Sequence, residues 1–193
     1  MGDLIFTGAS ILCLPVLSPD GTYARVTCPF VLDRLERGRR LFGIKTPSFT
    51  ATPARDEVVV AGSCLVNDGE VVLSDVVLTP QDDPGLKEFW MALTGQDTEL
   101  VCLVNDQSFA FFCDTALEIS AHITLQPDHK TTSDCGYWYR EDLPADTLMT
   151  SFILSRSNDL NVLDELPCLQ FGGRDADQGR MILETVAHSE SSW

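Results

Sequence analysis

The chain has 193 residues, enough for one domain of ordinary size with a substantial core. Hydrophobic residues make up 44% and charged residues 22%, a globular composition, and no apolar run is long enough to span a membrane. The net charge of −16, taken alone, argues against nucleic-acid binding, because phosphates attract basic surfaces.

The first segment, MGDLIFTGASILCLPVLS, does not read as a secretory leader: it lacks a basic start, carries Asp3 and is broken by Pro15. A cytoplasmic location and no membrane partner are expected. ILCLPVL at 11–17 has the pattern of a short buried strand, and TYARVTC at 22–28 that of a second. Ser18-Pro19-Asp20-Gly21 forms the turn between them. Pro29 opens a helix through FVLDRLERG, with Gly38 at its end, Phe30, Val31, Leu32 and Leu35 on its apolar face, and Arg34 and Arg37 on its wet face.

Residues 43–56 read as a loop. EVVVAGSCLV and EVVLSDVVLT flank Asn67-Asp68-Gly69, and Asp-Gly suits the type I′ turn of a hairpin joining the two runs. Asp82 or Asp83 caps a helix over 84–94 that starts at Pro84. ELVCLVN at 99–105 is a strand. Asp106 caps a helix over 107–117, with Phe109 and Phe112 inward. EISAHITLQ at 118–126 alternates as a strand. YWYREDLPADTLMTSFIL holds an aromatic strand, a turn at Pro144 and a further strand. Helix or loop follows over 157–166, then LQFGGRDADQGRMIL, whose glycines bracket a charged loop, a strand and a frayed tail. Strand pairs interleaved with short helices predict an α+β domain with an antiparallel sheet and helices on one face.

Seven cysteines, with no C-x-x-C pair and no close Cys/His set, predict reduced, buried thiols and no metal site. His122, His129 and His188 each stand alone, and no hydrolase, phosphate-loop or zinc-protease motif is present. Six of the thirteen basic residues, Arg25, Arg34, Arg37, Arg39, Arg40 and Lys45, fall between 25 and 45. Only Asp33 and Glu36 oppose them, so this segment carries +4 and the remainder −20. A solvated helix end and a phosphate-binding face both fit that cluster. Tyr137, Trp138 and Tyr139 read as base-stacking rings or as core, with Trp138 inward at strand spacing.

Several segments together carry a resemblance. LIFTGASILCLPVLSPDGTYARVTCPFVLDRL resembles the backbone RAMP protein of the Cmr complex, the type III-B CRISPR–Cas effector that uses a guide RNA to target RNA. The words Phe6-Thr7, Leu14-Pro15-Val16, Thr27-Cys28-Pro29 and Arg34-Leu35 are shared. LVCLVNDQSFAFF, DCGYWYREDLPADTL and LPCLQFGGRDADQGRMIL follow in the family's order. Departures are local: Leu17 and His122 stand where arginine is frequent, and Arg140 replaces an acidic residue.

The resemblance implies a ferredoxin-like or RRM-like RAMP fold over 1–186, incomplete at the amino terminus, with a tail at 187–193. It implies a guide-RNA-binding backbone subunit in antiviral defence. The partners would be CRISPR guide RNA and target RNA, other Cmr-type subunits and copies of itself, with no DNA. By resemblance, Gly172, Gly173, Arg174, Gly179 and Arg180 lie against the guide RNA backbone, and Arg34, Arg37, Arg39 and Arg40 form a second contact. Family members carry an earlier segment with the aspartate that cuts target RNA. Asp3 occupies no matching position, so no catalytic residue and no cofactor are assigned, a divalent metal entering only with the complete complex. The alternatives are a fragment of a complete endoribonuclease subunit and a non-functional remnant.

Overall fold

The structure, a computed structural model, describes residues 4–45, 47–96, 98–125, 132–156, 168–170 and 180–182. In chain order the elements are β1 (Leu4–Phe6), β2 (Ser10–Ser18), β3 (Thr22–Thr27), α1 (Pro29–Leu41), β4 (Glu57–Val60), β5 (Val71–Leu73), β6 (Val76–Asp82) and α2 (Pro84–Thr94). They continue with β7 (Val101–Val104), α3 (Asp106–Thr115), β8 (Glu118–Leu125), β9 (Thr132–Asp142), β10 (Leu148–Thr150), β11 (Ile153–Ser155), β12 (Cys168–Gln170) and β13 (Arg180–Ile182).

Seven strands make one sheet in the order β10-β2-β3-β7-β4-β6-β5. Most neighbours are antiparallel, while β3 with β7 and β4 with β6 run parallel. The α+β class therefore holds. The helices, expected on one face, divide between two. Val59, Val101 and Leu103 pack with Leu86, Phe89, Trp90 and Leu93 of α2. Val58, Val60, Cys102 and Val104 pack with Phe109 and Phe112 of α3 on the other side. Every residue of β7 is buried, as a central strand covered on both faces requires.

The β2–β3 hairpin has the expected turn, with Ser18 opposite Thr22. The buried Thr27 hydroxyl donates to the Leu12 carbonyl (2.8 Å), so the Thr-Cys-Pro word ties β3 to β2 just before α1 leaves the sheet. The second expected hairpin is only half present. Asn67 and Glu70 exchange backbone hydrogen bonds around Asp68 (φ 50°) and Gly69 (φ 81°), as a type I′ turn demands. Yet Ser63–Leu65 winds into a 3-10 turn, and β4 pairs with β6 rather than β5. The sheet offers β4 two longer partners, β6 and β7, and β5 instead turns back on β6.

The capping pattern around α3 is also redistributed. Asn105, not Asp106, caps α3, its side chain accepting from the Ser108 N–H (2.9 Å). The Asp106 carboxylate instead accepts from the Phe30 N–H of α1 (2.9 Å). Asp83 caps α2 as expected, through the Gly85 N–H, and Gly95 closes that helix at φ 74°.

Candidate nucleic-acid interface

Helix α1 carries the basic cluster. It does not end at Gly38 but runs three residues further, and Gly43 at φ 67° follows it. Gly38 serves a different purpose: the Phe152 ring lies across it, so a Cβ built there would sit 2.6 Å from the ring. Phe152 also packs on Phe42 (centroids 4.8 Å apart), which fixes α1 against the β10–β11 connection.

The four arginines of α1 do not share one environment. Arg34 and Arg37 are exposed and carry no ion pair among the described residues. One helical turn separates them, so they sit side by side. Arg40 is exposed and bound to Glu36 at 2.6 Å. Arg39 departs from the expectation of a surface contact: it is 8% exposed, and its Nη2 donates to the Lys45 carbonyl (2.9 Å). Burial lowers the pKa of its guanidinium from the ordinary value. The spacing explains this, since Arg39 follows Leu32 and Leu35 by seven and four residues and falls on their buried face. That periodicity was the available signal, and the charge count concealed it.

Beside Arg34 lies a cleft of about 190 Å³, bounded by α1, the start of β2 and the β10–β11 connection. Its lining is apolar at Ile11, Val31, Leu35 and Phe152 and polar at Ser10, Thr150 and Arg34, with Gly8 and Gly38 completing it. Ser10 and Thr150 are cross-strand partners in the β2–β10 ladder. Thr7 and Ser151 brace that lining: Phe152 N–H donates to Thr7 Oγ1 (2.8 Å), and Ser151 Oγ donates to the Thr7 carbonyl (3.0 Å). Sequence reasoning missed Ser10, Thr150 and Phe152, because they join α1 only through a pairing between residues some 140 positions apart.

The long hairpin β8–β9 presents rings to solvent. Trp138, expected inward, is 47% exposed and stacks on its cross-strand partner His122 (5.5 Å, 12° between planes). On the opposite face Tyr137 and Tyr139 meet edge to face, with hydroxyls 2.6 Å apart, beside exposed Ile119 and Ile123. Among the described residues β8 and β9 pair only with each other, apart from the main sheet, and these rings are exposed.

Gly172, Gly173, Arg174 and Gly179 lie outside the described residues, as do His129 and His188. Arg180 begins β13, opposite Gln170 of β12, so the strands bracketing the glycine-rich segment pair antiparallel. Among the described residues no group of three or more His, Cys, Asp or Glu side chains is placed to hold a metal ion. Cys13 and Cys28 are sealed in the core, and burial raises both thiols to about 12, which leaves no reactive thiolate there.

No protein-family model matches the chain. It is 30% identical, over 187 aligned positions, to the CRISPR system Cmr endoribonuclease Cmr4 of Pyrococcus furiosus. The match covers 86% of this chain and 63% of that protein, so the chain spans less than two thirds of its relative's length. The crystal structure of oligomeric Cmr4 from Pyrococcus furiosus superposes with a TM-score of 0.72 at 25% identity, over 93% of this chain and 71% of that one. A chain of the type III-B Cmr-beta complex bound to cognate target RNA, solved by cryo-EM, superposes at 0.71 with 14% identity, over 93% and 69%, a likeness of fold.

Proposed function

The chain is a homologue of Cmr4 (Cas7) of the type III-B Cmr complex, and on that premise we propose that it is an RNA-binding backbone subunit of such an antiviral CRISPR–Cas assembly. It would pack against Cmr-type neighbours along a guide RNA. One observation carries the reading: on a chain of net charge −16, Arg34 and Arg37 stand exposed on one helix with no ion pair among the described residues, next to a cleft lined in part by Ser10 and Thr150. A phosphate chain would supply both cations with partners. The exposed rings of β8–β9 add uncharged planes on which bases stack. Gly172, Gly173, Arg174, Gly179 and Arg180 enter the proposal as a further backbone contact on the strength of the sequence resemblance.

The test is anisotropy of a fluorescein-labelled single-stranded RNA with the parent and an Arg34→Ala/Arg37→Ala double variant. At salt above about 0.1 M, the variant should bind roughly tenfold more weakly. Its log–log salt slope should be shallower by about 1.4, two phosphate contacts at ~0.7 each. Equal affinity and equal slope would refute the assignment. Gly173→Asp and Arg174→Ala, measured the same way, test the glycine-rich contact separately.

A further inference from the structure

Resting on the RNA-binding reading, we infer that the cleft beside Arg34 is a subsite for one ribonucleotide, and that it tells RNA from DNA. Its volume, about 190 Å³, falls below the roughly 300 Å³ at which sites for drug-sized ligands begin, so it suits one ring system. Ile11, Val31, Leu35 and Phe152 give the cleft an apolar lining on which a nucleobase face can pack. The polar side chains of the lining, Ser10, Thr150 and Arg34, would meet a ribose-phosphate. Arg34 supplies charge for the phosphate, and Arg37, one turn on, reaches the next phosphate along the strand.

The hydroxyls of Ser10 and Thr150 set the sugar preference. They are directly opposed across the β2–β10 ladder, so both project to the same face. Neither makes a hydrogen bond to another described residue, although the adjacent Thr7 and Ser151 hydroxyls are both engaged. A ribose 2′-hydroxyl both donates and accepts, and a pair of open hydroxyls answers it, whereas a deoxyribose leaves them unmet. The charge pattern selects the occupant: the only strongly basic segment of the chain borders this cleft, so the ligand is anionic.

Gly8 provides a clean way to close the cleft, because a Cβ built there meets nothing within 4 Å. The experiment compares a fluorescein-labelled 12-nucleotide oligouridylate with its deoxy counterpart, on the parent, Gly8→Leu, and Ser10→Ala/Thr150→Val. Matching urea midpoints confirm that each variant folds. The parent should prefer RNA. Ser10→Ala/Thr150→Val should cut the RNA-to-DNA ratio about 25-fold, two hydrogen bonds at about fivefold each, while leaving DNA binding unchanged. Gly8→Leu should weaken RNA binding about tenfold, and an abasic probe should bind the parent as weakly as the intact probe binds Gly8→Leu. If these variants keep the parental affinity and ratio while Arg34→Ala/Arg37→Ala still weakens binding, the subsite is wrong and the RNA-binding reading stands. If the parent binds neither probe, both fall.

Discussion

Replacing Asp106 with alanine should loosen α1 although Asp106 belongs to α3. The residue at the amino-terminal cap position of α1, Cys28, has only a thiol, a weak acceptor, to offer the open amides, and the first turn of α1 holds no acidic residue. Pro29 removes one open donor, and the Phe30 N–H is met by the Asp106 carboxylate at 2.9 Å. The same carboxylate sits in the first turn of α3, where its charge opposes a second helix dipole. Losing a cap of this type costs about 1 kcal/mol, and losing an exposed anion from a helix start costs about 0.3–0.5 kcal/mol more. Asp106→Ala should therefore lose about 1–1.5 kcal/mol in urea unfolding at pH 7, and roughly 3–5 °C in Tm. Asp106→Asn keeps an acceptor and should lose about half as much, and 1 M salt should narrow the gap between Asp and Asn. Asp114→Ala is the control: it removes an equal charge near the carboxyl end of α3, where the dipole predicts no loss. An Asp106→Ala midpoint within about 0.3 kcal/mol of the parent would refute the bridge between the two helices.

Gly38→Ala, worth up to about 1 kcal/mol of gain in an open helix, should instead destabilise the parent, because the new Cβ meets the Phe152 ring. In a Phe152→Ala background the same change should become stabilising, and a gain in the parent would sink the packing argument. Cys13 has its folded pKa raised by burial to about 12, so its contribution is fully present below the unfolded value near 9 and fades as pH rises from there towards 12. Urea midpoints should show the parent losing about 1.4 kcal/mol more than Cys13→Ala between pH 8 and pH 10; parallel profiles would contradict it. RNA affinity of the isolated chain should pass through a maximum near 0.1 M salt, and a steady fall from 0.01 M upward would count against long-range repulsion by the acidic remainder.

The elements of this fold were legible wherever a local rule acted alone. Gly95 and Asp83 bracket α2 because caps need only their own helix, and Asp68-Gly69 makes its turn because positive φ is a property of those two residues. Failures came where a distant element had the deciding vote. Asp106 reads as the cap of its own helix until Phe30 arrives beside it from 76 positions earlier. Gly38 reads as a helix end until Phe152 occupies the space that its missing side chain leaves. Trp138 reads as core because alternation alone cannot say that β8 and β9 form a ribbon outside the main sheet. The cleft was invisible for the same reason: its lining comes from three parts of the chain that share no sequence signal.

The charge count misled in one respect and helped in another. Of the six basic residues between positions 25 and 45, Arg39 is buried, Arg40 is bound to Glu36, and Arg25 of β3 donates to Gln96, just past the end of α2. What reaches a ligand from α1 is the field of Arg34 and Arg37, reduced by the exposed Asp33 four residues before Arg37. Two charges against a net −16 sound insufficient, yet at 0.15 M ionic strength the Debye length is about 8 Å, so a phosphate on α1 feels those guanidinium groups and little of the acidic surface beyond. Only at low salt, where the screening length grows to about 30 Å, does the whole chain repel the polymer. On the RNA-binding reading, the basic face of α1 therefore draws the polymer in at physiological salt, and the acidic remainder weighs against it only as the salt is lowered.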